Sequence, residues 1–165
     1  MSLRKSGFGA VVDDDTRLVI LGSLPGERSL AERRYYAHPG NGFWHLVGAV
    51  ISCDLVSRDY AARLDTLRAH RIGLWDVVAS AERSGSLDTA IRAHEANPLA
   101  DFAASLPNLR ALAFNGAKAA AIGRRQLAGQ AAPDLIDLPS SSAAYAAMPL
   151  AEKASRWMSL RKFVG

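Results

Sequence analysis

Two stretches of this 165-residue chain mix residue types that a hydrophobic core does not require. In the first, Gly22-Ser23-Leu24-Pro25-Gly26, glycines flank a proline of fixed φ, a combination that builds a tight turn and leaves backbone N–H groups for a ligand. The second, Tyr35-Tyr36-Ala37-His38-Pro39-Gly40-Asn41, sets two aromatic rings, an imidazole, a stiff proline and an amide side by side. An aromatic face can stack on a planar ligand and an amide can orient a water molecule. Each feature also has a plain structural reading. The turn can be only a turn, Tyr36 a core or surface tyrosine, and Asn41 the N-cap of a helix opening at Phe43.

These residues need elements to hold them. Leu18–Leu21 is a short apolar run ended by Gly22, as a buried strand would be. Phe43, Leu46, Val47, Val50 and Ile51 recur at helical spacing, and Ser57 is placed to cap a second helix carrying Tyr60, Leu64 and Leu67. A second strand fits residues 72–78, with Asp76 its odd polar member. Residues 79–96 read as a polar surface connection with a short helix near residues 87–92. Asn97-Pro98 suits a helix start, Leu109–Phe114 a third strand closed by Asn115-Gly116, and residues 117–127 a helix stopped by Gly129. A fourth strand, Leu135–Leu138, runs into Pro139-Ser140-Ser141-Ser142, and Pro149 opens a last helix. Residues 1–17 read as a polar lead-in whose Asp13-Asp14-Asp15 is a solvated turn.

Alternation of short apolar strands with amphipathic helices predicts an α/β fold, a three-layer αβα sandwich around a central four-stranded parallel sheet. Ligands of such sheets bind beyond the carboxyl ends of the strands. Gly22–Gly26, Asp76, Asn115 and Pro139–Ser142 all fall there, so one rim would gather them.

Composition bounds the function classes. With 49% hydrophobic and 22% charged residues, one compact domain over residues 1–165 is expected, and disorder is not. The net charge of +4 gives a modest attraction for polyanions. Arg28, Arg33, Arg34, Arg83, Lys118, Arg124 and Arg125 are candidates for a basic surface, although singly each reads as a solvated charge. The lone Cys53 excludes an internal disulfide and a multi-cysteine zinc site, and the four histidines are scattered, so no metal is expected. There is no Gly-x-Gly-x-x-Gly and no Walker lysine, hence no expected cofactor. No apolar stretch has membrane-spanning length and no signal-peptide pattern opens the chain, which predicts a cytoplasmic protein with no membrane partner.

The motifs carry a family resemblance. GSLPG followed by YAHPGNGFW is similar to the uracil-DNA glycosylase superfamily, whose mismatch-specific branch has GxNPG followed by FAHPxNxFW. The hypoxanthine-DNA (deoxyinosine) glycosylase branch is closer. It resembles this chain in a GSxP turn, in YYxHPxNxFW, in LWDVxxSxxRxGSLDxxI (Leu74 to Ile91 here), in FNGxKA (Phe114 to Ala119) and in LPSxS (Leu138 to Ser142). The resemblance spans residues 18–146 and rests on five ordered motifs.

The resemblance implies a uracil-DNA glycosylase-like fold and a monofunctional glycosylase acting as a monomer on damaged DNA. It would flip out a deaminated base, hypoxanthine first and uracil second, and hydrolyse the N-glycosidic bond. A DNA-damage binder without catalysis and a nucleoside hydrolase are the rival readings. Leu24 stands where the mismatch-specific branch has its catalytic asparagine, and the resemblance implies Asn41 as the replacement, which would orient water through its amide oxygen. Tyr36 would stack on the base, and Asp76, an acceptor only, would take the N1–H of hypoxanthine or the N3–H of uracil. Gly22, Ser23, Leu24 and Asn115 complete the implied base pocket, and Pro25, Gly26, Ser140, Ser141 and Ser142 the implied DNA contacts. Leu138 replaces the histidine of the HPSPLS motif, and Ala143 and Tyr145 replace a proline and an asparagine of LPSTSPANA.

Overall fold

The structure is a computed structural model that describes residues 4–164. In chain order its elements are β1 (Arg4–Ser6), β2 (Leu18–Gly22), α1 (Glu27–Glu32), α2 (Phe43–Ile51), α3 (Tyr60–Ala69), β3 (Ile72–Asp76), β4 (Val78–Glu82), β5 (Arg92–Ala96), α4 (Leu99–Ala104), β6 (Ala111–Asn115), α5 (Ala117–Gln126), β7 (Asp134–Leu138) and α6 (Leu150–Trp157). Short 3-10 turns cover Asp88–Ala90 and Met158–Phe163.

The central sheet has the order β3-β2-β6-β7, and every pairing in it is parallel. Its inner strand β2 is apolar on both sides because both sides are covered. Leu18 and Ile20 join a core with Phe43, Leu46, Val47, Leu67 and Trp157, while Val19 and Leu21 join another with Leu99, Leu106, Ala119 and Leu127. Side chains alternate across a strand, so the two cores lie on opposite faces and the architecture is the expected three-layer sandwich.

Several local expectations are corrected. The lead-in and the supposed surface connection build a second sheet, three-stranded and antiparallel, in the order β1-β4-β5. Residues 72–78 are not one strand, because Asp76 ends β3 and Val78 starts β4. Ser57 caps nothing: its hydroxyl donates to Asp54 Oδ2 at 2.8 Å, while Asp59 accepts the Ala62 N–H at 2.8 Å at the start of α3. Asn97 does not cap α4 either, since its Nδ2 donates to the Asp76 carbonyl at 2.8 Å. The helix α1 just after the glycine-proline turn had no expected counterpart.

Parallel pairing brings the carboxyl ends of β2, β3 and β6 together, with Gly22 in register with Asp76. The chain then turns sharply in two places. Gly22 has no room for a side chain, because a Cβ there would come within 2.7 Å of Asp76 Oδ1 and 3.0 Å of Tyr36 Oη. Gly116 adopts φ +100°, a left-handed conformation open to glycine, and starts α5 beside Ser140.

Candidate active site

A cleft of about 1210 Å³ opens at this rim, lined by the Gly22–Gly26 turn, Tyr36, Asn41, Asp76, Asn115 and the loop of residues 138–145. Every residue that the resemblance implied for the base pocket or the DNA contacts lines it.

Asp76 sits in this cleft at the end of β3. It is 4% exposed, and its Oδ2 has no hydrogen-bond partner. Burial, and then the negative charge of Asp88, push its carboxyl up to about 7, against a smaller opposing effect of Arg83. A buried carboxylate without a protein donor is costly to a fold, so packing alone does not account for Asp76 at this rim.

Tyr36 is held in a left-handed conformation, φ 54°, that costs a non-glycine residue on the order of 1–3 kcal/mol. Its ring lies parallel to Phe43, centroids 3.7 Å apart, and Trp44 Nε1 donates to its carbonyl at 3.2 Å. Phe43 is fully buried, so it backs the half-buried tyrosine, whose remaining surface lines the cleft.

Asn41, Ser141 and Asn115 form one network. Asn41 Oδ1 accepts the Phe43 N–H at 3.0 Å and the Ser141 hydroxyl at 2.7 Å. The backbone N–H of Phe43 can only donate, so it fixes which end of the amide is oxygen. Both acceptor positions of that oxygen are therefore engaged, which corrects the expectation that the oxygen orients water and leaves Nδ2 as the end for a ligand or water. Asn115 Nδ2 donates to Ser141 Oγ at 2.9 Å and to Tyr36 Oη at 3.4 Å, while Asn115 Oδ1 accepts the Ser141 N–H at 2.9 Å. Asn115 thus ties the loop to the end of β6.

This network corrects the expectation for Ser141. Its side chain is 2% exposed and already committed on both sides, so it joins Asn41 to Asn115 and does not reach a phosphate. Ser140 and Ser142 differ. Their hydroxyl oxygens accept local N–H groups from Ser142 and Ala144, which leaves the hydroxyl protons to donate. The helix α6 braces the same loop: Trp157 Nε1 donates to the Pro139 carbonyl at 2.9 Å and Lys153 Nζ to the Ser142 carbonyl at 3.1 Å.

Arg83 also departs from its expected place on a basic surface. It is 1% exposed, and its guanidinium donates to the carbonyls of Leu24, Pro25 and Gly85, clamping the turn from behind. Leu24, 6% exposed, packs into the core beneath that turn, and Pro25 is buried as well. Arg124 pairs with Asp137 at 2.9 Å. Arg28 and Lys118 are the cations of the predicted set that line the cleft.

A model of the uracil DNA glycosylase superfamily matches residues 8–161. The chain belongs to that superfamily. It is 45% identical over 116 residues to a hypoxanthine DNA glycosylase of Methanosarcina barkeri, which covers 70% of this chain and 73% of that one. Another hypoxanthine DNA glycosylase, from Methanosarcina acetivorans, is 45% identical over 115 residues with the same coverage. The solution NMR structure of a candidate uracil DNA glycosylase from Methanosarcina acetivorans superposes with a TM-score of 0.86 at 39% identity, covering 98% of this chain and 99% of that one. The cleft of this superfamily member lies at the carboxyl rim of its parallel sheet.

Sequence reasoning missed Asp88 and Lys153 as parts of the site and gave Arg83 a surface role in place of its buried one. Arg83 and Asp88 fall within the RxGSLDxxI segment, whose match to the family was the available signal. Lys153 had none, because a lysine on an amphipathic helix reads as solvated until the loop it supports is known. Among the described residues, no group of three or more His, Cys, Asp or Glu side chains is arranged to hold a metal ion, and no helix is long and apolar enough to cross a membrane.

Proposed function

We propose that this superfamily member is a monofunctional DNA glycosylase that excises hypoxanthine, and secondarily uracil, from damaged DNA by hydrolysing the N-glycosidic bond, a first step of base excision repair. The observation that carries the reading is Asp76, a buried carboxylate facing a cleft with Oδ2 unpartnered. In its ionised form it accepts the N1–H of hypoxanthine, whereas adenine presents a lone pair at N1 and is repelled. Deaminated base and parent are thus separated by one hydrogen bond. The relatives named hypoxanthine DNA glycosylase support the same choice.

A base within a duplex must be flipped out to reach such a depth, at a cost of a few kcal/mol that stacking partly offsets. Tyr36, backed by Phe43, is the proposed stacking face. Gly22, Ser23 and Leu24 shape the floor, and Asn115 holds the wall. Gly26, Ser140 and Ser142 are assigned to the DNA side, with Ser141 and the buried Pro25 supporting them from below. Asn41 is assigned to the attacking water, held through Nδ2 because its oxygen is occupied. The hydrolytic reading leaves an abasic site as the product, and Lys118, which lines the cleft, is assigned to the DNA backbone and not to a Schiff base. We assign residues 1–165 to one domain, acting as a cytoplasmic monomer without metal or cofactor.

Duplex oligonucleotides carrying one deoxyinosine test the reading. Release of free hypoxanthine with alkali-labile cleavage at that site is expected. Binding without cleavage would make the chain a damage binder, and activity confined to free nucleosides would make it a nucleoside hydrolase.

A further inference from the structure

Hydrolysis of a glycosidic bond needs an acceptor for the proton of the attacking water, and most titratable groups lining the cleft are unsuited to that task. Asn41 is an amide whose oxygen already has two donors. His38 Nδ1 accepts the Gly40 N–H at 2.9 Å, so its neutral ring carries the proton on Nε2 and offers a donor. Tyr35 and Tyr36 are held protonated, chiefly by burial. Asp76 is needed ionised and unprotonated for the edge of the base.

One carboxylate remains. Asp88 opens the 3-10 turn of Asp88–Ala90 at the wall of the cleft and is partly exposed. The Ser23 hydroxyl donates to its Oδ1 in a short hydrogen bond, while Oδ2 has no protein donor among the described residues. Ser23 lies in the turn that Arg83 clamps from behind, so the carboxylate is fixed relative to the floor of the cleft. Its charge reaches into the pocket: it is the second cause, after burial, that raises Asp76.

We propose that Asp88 is a catalytic residue of this glycosylase, its Oδ2 taking the proton of the attacking water, with Ser23 as its positioning residue. The inference rests on the glycosylase reading above. In the step, the water oxygen forms a bond to C1′ as one of its protons passes to Asp88. The C1′–N9 bond breaks with its electron pair leaving on N9 of hypoxanthine, and solvent protonates the departing base. The sugar is cation-like at the transition state, and the anionic carboxylate stabilises that charge as well. Asp88 then returns its proton to solvent.

The test uses the full chain and duplex oligonucleotides with one deoxyinosine opposite thymine. Binding is measured on the 2′-fluoro analogue, which resists cleavage, and single-turnover rates are normalised to the fraction of protein that binds it. Asp88→Asn keeps an oxygen for Ser23 but cannot take a proton. It is expected to lower the normalised rate about 10²- to 10⁴-fold, the range of general-base catalysis, with affinity for the analogue within about threefold of the parent. Asp88→Ala is expected to regain at least about tenfold in rate with added formate, which supplies a diffusible carboxylate. A normalised rate for Asp88→Asn within about threefold of the parent overturns the assignment. So does a loss that appears only in binding, or an Asp88→Ala protein indifferent to formate. If the unsubstituted protein releases no hypoxanthine, the failure lies in the glycosylase reading instead.

Discussion

The Ser141 hydroxyl donates to Asn41 Oδ1 at 2.7 Å, joining side chains 100 positions apart in the chain. This contact couples the loop after β7 to the loop before α2. Asn115 completes the link from the end of β6, so three separate segments hold the amide in one orientation.

Ser141→Ala removes the link without adding bulk. Two neutral hydrogen bonds are lost and the Asn115 amide keeps a weak partner in Tyr36, so a destabilisation of about 1–3 kcal/mol is expected in urea unfolding. The rate of hypoxanthine release should fall by more than this loss of stability explains, by about tenfold to 10²-fold, because the amide is no longer held. An unchanged single-turnover rate would show that the network is structural only.

Asp76 ties stability to pH with a definite sign. Burial pushes its carboxyl up to about 7 in the folded chain from the ordinary 3.8, so the folded state binds more protons between those limits. Stability therefore falls as pH rises from about 4 to about 7, with a ceiling on the order of 4 kcal/mol for the total. Asp76→Asn abolishes the slope. Its melting temperature should exceed that of the parent at pH 8, with the unpartnered amide taking back about 1–3 kcal/mol, and the difference should vanish near pH 4. Preference for hypoxanthine over adenine should also be lost, since an amide can donate to the adenine N1. Retained selectivity in a competition of the two bases would remove Asp76 from recognition.

The stack beneath the base gives a graded expectation. Tyr36→Phe keeps the ring on Phe43 and loses only the 3.4 Å contact with Asn115, so analogue binding should change little. Tyr36→Ala should weaken binding of uncleavable deoxyinosine DNA by about 1–3 kcal/mol, the worth of one stacked base. Equal effects of the two substitutions in fluorescence titrations would count against a stacking role.

The central sheet was legible because its inner strands announce themselves: Leu18–Leu21 ends on Gly22 and Ala111–Phe114 on Asn115-Gly116, both apolar runs of the kind that burial on two faces requires. The second sheet was not, because β5 is exposed along its whole length and its Arg-Ala-His-Glu-Ala sequence has no apolar alternation. Its pairing to β4 is a tertiary outcome. The rim residues were legible as a set, since parallel strands must end together. Their division of labour was hidden: Ser141 and Ser142 look alike in sequence, and only the fold buries one and half-exposes the other. A guanidinium that clamps carbonyls also reads the same as one in water, which is why Arg83 was misplaced.

Gly22 offers a test of how little space the floor of the cleft has. A methyl group there would lie 2.7 Å from Asp76 Oδ1 and 3.0 Å from Tyr36 Oη, both side-chain atoms that can move only by leaving their positions in the cleft. Gly22→Ala is expected to cost about 1–3 kcal/mol of stability by overpacking. The larger effect should be on hypoxanthine release, on the order of 10²-fold, because displacement by a fraction of an ångström disrupts both proposed base contacts together. Single-turnover assays on protein of verified fold would read it, and a rate equal to the parent would place the base elsewhere in the cleft.

Arg83 poses the last question, whether the turn holds its shape without a buried cation. Three carbonyls of residues 24, 25 and 85 converge on one planar guanidinium, and lysine cannot reproduce that fork. Burial lowers the readiness of Arg83 to stay charged, while Asp88, Glu27 and Asp76 oppose this. Hydrogen bonds to a charged donor are worth about 1.5–3 kcal/mol each, and a lysine retains one at best, so Arg83→Lys should lose on the order of 3 kcal/mol in urea unfolding. Arg83→Met, which fills the volume without charge, leaves all three carbonyls and the nearby carboxylates uncompensated and should lose more. The carboxylate dependence supplies the sharper check: without the cation, Asp76 should titrate above its parent value, so the pH at which stability stops falling should move upward. Equal stability of both variants to the parent would mean that the turn is shaped by Gly22, Pro25 and Gly26 alone.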